Sequence, residues 1–369
     1  MAELIQSQSG LMNILIIDPQ VDFHEGGKLA VQGATDDSIR VSSFIQKQKD
    51  KLNKVFVSLD THTHCHIGHA GYWKLASEHK DQLKFDESFF APFTIFFVKD
   101  GKIFVKKEGV TDVEVEPRVP ELKNWTVQYI FELNRPNNEK GVPLIWPEHC
   151  IELTEGHKVQ PDLKTVLDTL QQEKVEYHIK GQNEAAEMYS IFKAEKPVHL
   201  DIDQRLCYHG VLKIKTSSKI ETPGSAEPDG AYLNTEFNDV LYQSLTSDGF
   251  PIVICGQALS HCVNWSLRDL VDKLIITSNP LYVLNGKIIS GKIILFRNGS
   301  SPVTGFEENV ERLEAYCKKN GVLIKNFVEE KGDLQDSESS TTRGGKRKSK
   351  KKQNKNRKTK KRSRRIILK

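Results

Sequence analysis

The sequence predicts an α/β fold of three layers, a mainly parallel β-sheet with helices on both faces. Two observations carry that expectation. Four short apolar runs each end in a polar residue or a glycine-bearing turn, and helix-like stretches lie between them. A strand that is apolar along its whole length must be covered on both faces, which is the condition of a parallel sheet. Alternating strand and helix supplies the crossover that parallel pairing requires.

The elements follow in order. Asn13-Ile-Leu-Ile-Ile-Asp18 is the first strand, and residues 36–50 the first helix. Lys54-Val-Phe-Val-Ser-Leu-Asp60 repeats the strand pattern. Residues 91–140 read as a β-rich insertion, with alternating segments at Lys102–Lys107 and Thr126–Leu133. A helix near 162–173 leads to the strand Val175–Lys180. Residues 197–230 form a second insertion, a hairpin candidate at Cys207–Thr216 and then the turn-rich Glu221–Gly230. A helix over 231–247, the strand Pro251–Cys255 and a helix over 260–273 follow, the last with Ser260 as its expected N-cap. A strand pair in 280–297, a helix at 305–319 and a strand at 322–327 close the body. The domain reading is one folded body over 1–328, an acidic Ser-rich linker over 329–342, and a basic tail over 343–369.

Charge separates the tail from the body. The chain of 369 residues has 53 Lys plus Arg against 49 Asp plus Glu, a net of +4. Arg343 to Lys369 holds 16 basic and no acidic residues, which leaves −12 on the remainder. Such a tail builds no core and reads as disordered. It reads as a nonspecific contact for nucleic acid or another polyanion, as a nuclear-localisation signal, or as a solvated appendage without a partner. It lacks aromatics, which argues against base stacking. No run approaches the roughly 18 apolar residues of a membrane helix, and the first residues lack the pattern of a signal peptide. Six irregularly spaced cysteines without a CxxC disfavour a disulfide scaffold or zinc ribbon. An intracellular protein, cytoplasmic or nuclear, is expected.

Asp18, Asp60, Lys180 and the segment after Cys255 all fall at predicted strand carboxyl ends, the edge where open α/β sheets bind ligands. In Cys255-Gly-Gln-Ala-Leu-Ser-His-Cys262, a strand ends, the chain turns and a helix opens. Cys262 in that first turn would meet the helix dipole and free N–H groups, which favour a thiolate and an oxyanion. The alternative is an inert buried cysteine. Asp18 and Lys180 would supply a proton acceptor and a positive charge if their strands neighbour that of Cys262. Asp60-Thr-His62-Thr-His64-Cys-His66-Ile-Gly-His69 is dense in ligand atoms, and His149 follows in Trp146-Pro-Glu-His149-Cys150. Asp60 and His62, alternate on an extended segment, face one way and with His149 could bind a metal that keeps open positions. The alternative is a solvent-exposed His-rich loop.

Asp18-Pro-Gln-Val-Asp-Phe23, Asp60-Thr-His62, Trp146-Pro-Glu-His149-Cys150, Lys180-Gly181 and Gly256-Gln-Ala-Leu-Ser-His-Cys262 stand in the order used by isochorismatase-like cysteine hydrolases. Within that superfamily the sequence resembles nicotinamidases most, over about residues 13–280. The resemblance implies a catalytic triad of Asp18, Lys180 and Cys262, and a metal held by Asp60, His62 and His149, with His66 close by. It implies that Phe23 and Trp146 sandwich a pyridine ring, with Tyr189 in the matching Tyr189-Ser-Ile-Phe192. It also implies a cis Gln257–Ala258 peptide and an oxyanion hole from the amides of Ala258 and Cys262. The ion would be zinc first, with iron or manganese as alternatives. The reaction would be hydrolysis of nicotinamide to nicotinate and ammonia through a thioester, a step of NAD salvage.

The sequence departs from the family at Leu153, where Gly is usual, and at Leu259-Ser260-His261, where Thr-Asp-Tyr is common. Both bear on the pocket rim and on the family's usual assembly surface, so a homo-oligomer is left open. Two other readings stand beside nicotinamide hydrolysis. One is cleavage of another small amide or a carbamoyl compound. The other is a non-catalytic nucleic-acid-binding protein on the same scaffold.

Overall fold

The computed structural model describes residues 10–76, 90–106, 112–136, 138–140, 143–197 and 235–336. The hairpin expected at Cys207–Thr216, the turn-rich segment after it and the basic tail lie outside these residues. The chain divides into Met1–Ser337 and Glu338–Lys369, and the described residues all belong to the first unit.

Strand β1 (Met12–Ile17) leads through helix α1 (Ala34–Gln48) to β2 (Leu52–Asp60). A second sheet then forms from β3 (Trp73–Leu75), β4 (Phe96–Lys99), β5 (Lys102–Val105) and β6 (Val113–Pro117), followed by α2 (Lys123–Leu133). The chain returns through α3 (Pro161–Leu167) to β7 (Val175–Lys180), then α4 (Asp239–Thr246), β8 (Ile252–Gly256) and α5 (Cys262–Ile276). A small hairpin, β9 (Val283–Leu284) and β10 (Lys287–Ile288), precedes β11 (Ile293–Phe296), α6 (Glu307–Asn320), β12 (Leu323–Val328) and β13 (Asp333–Asp336). Asn285-Gly286 turns that hairpin with φ of 52° and 73°, the double positive φ that a two-residue hairpin loop needs.

The main sheet runs β13-β12-β11-β8-β1-β2-β7. All its pairings are parallel except β12 with β13. Successive residues of β1 point to opposite faces, and the two cores divide accordingly. Ile14 and Ile16 pack with Val41, Phe44 and Ile45 of α1 and Leu163 of α3. Leu15 and Ile17 pack with Leu241 of α4, Leu267 and Leu270 of α5 and Leu313 of α6. Each such side chain, fully withdrawn from water, contributes roughly 1.5–3 kcal/mol before chain entropy is set against it. These are the three layers the apolar runs predict.

Three local expectations need correction. Thr126–Leu133 is helical, not a strand. Its buried residues Thr126, Tyr129, Ile130 and Leu133 recur at i, i+3, i+4 and i+7, and that face packs on the second sheet. The insertion also begins earlier than residue 91, because β3 pairs antiparallel with β6. Within the expected linker, β13 pairs with β12 and seats Leu334 in the core beside Phe44 and Phe327. One apolar residue suffices to dock that otherwise polar strand.

Candidate active site

The chain builds β1, β2 and β7 outward in one direction and then crosses back to place β8 on the other side of β1. That reversal makes β1 a topological switch point, and ligands of open α/β sheets bind beyond the strand ends there. Register brings the chemistry together at this edge. Asp60 and Lys180 are direct partners across β2 and β7, and Ile17, just before Asp18, pairs with Gly256. Gly256 has φ of 116°, and a Cβ there would lie 2.0 Å from Ile17 O. Only glycine lets β8 end so close to β1.

Lys180 is the hub. Its Nζ lies 3.0 Å from Asp18 Oδ2, 2.9 Å from Asp60 Oδ1 and 3.7 Å from Cys262 Sγ, and donates to Met188 O at 2.9 Å. Asp18, Asp60 and Cys262 each bring an atom within 4.8 Å of the others, and all four residues are buried. Burial works against the Lys180 charge, but Asp18, Asp60 and Cys262 outweigh it and hold the ammonium well above the usual lysine range. Burial raises the Asp18 pKa, with Lys180 and the Ser58 hydroxyl opposing, so this carboxylate is a stronger base than an exposed one. Asp60 goes the other way: His62 and Lys180 overcome its desolvation and hold it well below the usual range. The Cys262 thiol is pushed well up by burial, only partly offset by Lys180. The site therefore favours the neutral thiol, with a carboxylate of raised basicity within 4.8 Å of it.

Residues unmarked in the sequence reading fix these groups. Ser58 Oγ donates to Asp18 Oδ1 at 2.5 Å and accepts from Asp18 N at 2.9 Å. Gln20 clamps the end of β2: its Oε1 accepts from Asp60 N and its Nε2 donates to Asp60 O, both at 2.7 Å. Asp22 Oδ2 accepts from Cys150 N at 2.7 Å, tying down the loop that carries His149. Gln20 and Asp22 lie inside the first quoted motif, which was their only signal. Leu153, in this same loop, stands 95% exposed at φ 64°, a conformation that costs a non-glycine residue roughly 1–2 kcal/mol.

Beside the hub, four histidines pack together. The ligand atoms of His62, His69 and His149 lie within 4.8 Å of one another. Asp60 Oδ2 is 3.2 Å from His62 Nε2 and 3.7 Å from His149 Nε2. The remaining nitrogens are oriented by backbone: His62 Nδ1 contacts Gly181 O, His69 Nδ1 contacts Thr63 O and His149 Nδ1 contacts Pro147 O. His62 Nε2 and His69 Nε2 are buried without a hydrogen-bond partner. Three imidazoles and a carboxylate, each imidazole anchored by its second nitrogen, make a donor set that fits a divalent transition metal. His66 stacks 4.1 Å from His62, but its Nε2 contacts Ala186 O and its Nδ1 accepts from Gly68 N. Its ligand atom does approach His62 and Glu187 within 4.8 Å. His69, not His66, presents the idle nitrogen.

Phe23 packs edge-on against His149 with centroids 5.4 Å apart. Trp146 donates from Nε1 to the Tyr189 hydroxyl at 3.0 Å. Phe23, Trp146, Cys150 and Ala258 form one apolar cluster, against which Tyr189 and Phe306 pack. Phe306 lies beyond the stretch that carries the resemblance and had no sequence signal. α5 starts at Cys262 with His261 at its N-cap, and Ser260 turns its hydroxyl elsewhere. The Gln257–Ala258 peptide is cis. Among the described residues the N–H groups of Ala258 and Cys262 meet no acceptor. No helix among them is long and apolar enough to cross a membrane.

No protein-family model matches the sequence, and no curated protein matches it. Among solved structures, the chain is similar to a nicotinamidase–pyrazinamidase of Acinetobacter baumanii, with 15% identity, 86% of this chain and 97% of that chain covered, and a TM-score of 0.45. It is similar to yeast nicotinamidase at 15% identity, covering 85% and 99%, with a TM-score of 0.45. It is also similar to the pyrazinamidase of Pyrococcus horikoshii, solved with zinc, at 17% identity, covering 86% and 99%, with a TM-score of 0.41.

Proposed function

We propose that the chain is an amidohydrolase for a small ring carboxamide, with nicotinamide the first candidate, acting through a thioester on Cys262. The observation that carries this reading is the Lys180 ammonium set among Asp18, Asp60 and Cys262 Sγ, sealed from water.

Asp18 takes the Sγ proton as Cys262 attacks the carboxamide carbon, and Lys180 offsets the negative charge that the thiolate and carboxylates share. The N–H groups of Ala258 and Cys262 receive the developing oxyanion. Asp18 then returns its proton to the leaving nitrogen, and ammonia departs. With Asp18 again a base, water attacks the thioester and releases the acid and the thiol. Phe23 and Trp146 present apolar faces to the ring and keep bulk water out. Asp60, His62, His149 and His69 would hold a divalent ion (zinc, iron or manganese), which when bound offers a Lewis-acid contact to the ring nitrogen.

The test is ammonia release from nicotinamide and pyrazinamide by protein loaded with each metal in turn. Wild type should turn over and Cys262→Ala should not. Silence from wild type beside an active control enzyme would end this reading, and turnover by Cys262→Ala would end the thioester route.

A further inference from the structure

A small cavity lies between the second sheet and the aromatic cluster of the site. Trp73 and Ile130 line its apolar side, and Lys140, Glu187 and Glu195 its polar side. It offers about 20 Å³, enough for one water-sized occupant and too little for a ring. Its polar side is incompletely paired. Lys140 Nζ lies 3.3 Å from Glu195 Oε2 and 5.3 Å from the centre of the Trp265 ring. Yet Lys140 Nζ and both Glu195 carboxylate oxygens carry no hydrogen bond among the described residues, with the Glu195 side chain only 2% exposed. A buried polar group in that condition is costly, and a hydrogen-bonding occupant removes the cost. Glu187 lines the same space, so two carboxylates meet one lysine. Burial pushes the Glu195 carboxyl up to about 7, and Lys140 offsets it only in part.

The wall between this cavity and the aromatic cluster is thin. Gly68 lines the cavity, and its carbonyl accepts from Trp146 N at 2.7 Å. A Cβ on Gly68 would stand 2.7 Å from Glu187 Oε2 and 3.4 Å from Trp146 Cδ1, so one glycine separates the carboxylate from the ring. Tyr189 lines the cavity too, and its hydroxyl accepts from Trp146 Nε1. Glu187 brings a carboxylate oxygen within 4.8 Å of ligand atoms of His62 and His66.

We propose that this cavity is a binding site for the ammonium ion, set between Glu187 and Glu195 and opposite Lys140. The identity of the ion rests on the reading of the chain as an amidohydrolase. Of the molecules in that reaction, the amide and the acid exceed the cavity. Water fits the volume but brings no charge. The ammonia that leaves the carboxamide takes a proton from water and becomes an ion of the same size. It then carries four N–H donors for the idle oxygens and the positive charge that two carboxylates facing one lysine lack.

The experiment is thermal unfolding of the metal-loaded full chain in ammonium chloride against tetramethylammonium chloride at equal ionic strength, the second cation being too large for the cavity. Tm should rise in ammonium by roughly 2 °C at about ten times its Kd and then level off. Glu195→Gln keeps the shape and should abolish the rise. Lys140→Met removes the competing positive charge and should enlarge it. Opposite responses in the two variants separate a cation site from a general loss of stability. No rise in wild type, an unchanged rise in Glu195→Gln, an unchanged or smaller rise in Lys140→Met, or a larger rise in potassium than in ammonium overturns the inference. In turnover, ammonium should inhibit release of the acid at roughly tenfold lower concentration in wild type than in Glu195→Gln; equal inhibition overturns it as well. If no amide is hydrolysed, the functional reading falls, and the unfolding arm still decides the site.

Discussion

Replacing Lys180 with methionine, close to it in volume, removes the one positive charge between two buried carboxylates. At 3.0 and 2.9 Å and an effective dielectric of about 20, each contact holds roughly 5 kcal/mol of attraction before desolvation is subtracted. Removing one partner of a buried ion pair costs about 3–5 kcal/mol net, because the other is left uncompensated. For a body of this size that is a fall in Tm of roughly 4–7 °C. The pH dependence gives a sharper readout. In wild type the Asp60 pKa is held low, so its contribution is present above the unfolded pKa and fades only in acid. In the variant, desolvation and mutual repulsion act on Asp18 and Asp60 without the lysine, and the folded pKa of Asp18, already raised, rises further. A raised carboxyl pKa gives stability that is full at low pH and lost as pH climbs through it. The Tm gap between wild type and Lys180→Met should therefore be widest near pH 8 and shrink toward pH 5. Thermal unfolding with a chelator present measures it free of metal linkage. A variant as stable as wild type at pH 8, or a gap that widens toward acid, would refute the reasoning.

Three further outcomes are expected. Ser58→Ala removes a donor that lowers the Asp18 pKa, so the acid limb of kcat/KM should move to higher pH; a limb that stays or moves down contradicts Asp18 as the base. His69→Ala should weaken metal binding at least tenfold in a chelator-competition titration, by loss of a ligand, and more than His66→Ala does; equal retention in the two removes His69 from the donor set. Deleting residues 343–369 should abolish binding to single-stranded DNA or heparin that weakens steeply with salt, while turnover survives; loss of both, or binding that persists, contradicts a separable tail.

The parts of the molecule that were legible are those set by local signals. Asn13–Asp18, Lys54–Asp60 and Pro251–Cys255 read as strands because each is a short apolar run, Val175–Lys180 alternates apolar and polar residues, and each is a strand of the main sheet. Thr126–Leu133 reads as a strand because Thr, Val, Tyr, Ile and Phe are strand formers by composition, whereas its burial has helical spacing and packing on the second sheet decides the outcome. Asp333–Asp336 was invisible for the opposite reason: a polar composition hid one core residue, Leu334.

Within the site, the division runs between groups at strand ends and groups that hold them. Asp18, Asp60 and Lys180 announce themselves because an ionisable residue closes an apolar run. Nothing in a linear sequence says that Ser58, two residues before the end of β2, faces Asp18 on the neighbouring strand; that follows from the order β8-β1-β2-β7 and from the register that aligns Ile16 with Val57. His69 is the same case in a loop. Seven residues from His62, it lies in a segment that is neither helix nor strand, and it reaches the cluster because the turn after Thr63 folds back. His66 N–H bonds Thr63 O and His69 N–H bonds His66 O, while the His69 ring contacts Thr63 O. That fold carries the Nε2 of His69 toward His62 and His149 and spends both nitrogens of His66 on the backbone. Backbone groups thus decide which of two histidines three residues apart keeps a nitrogen free beside His62 and His149, and sequence spacing does not show it.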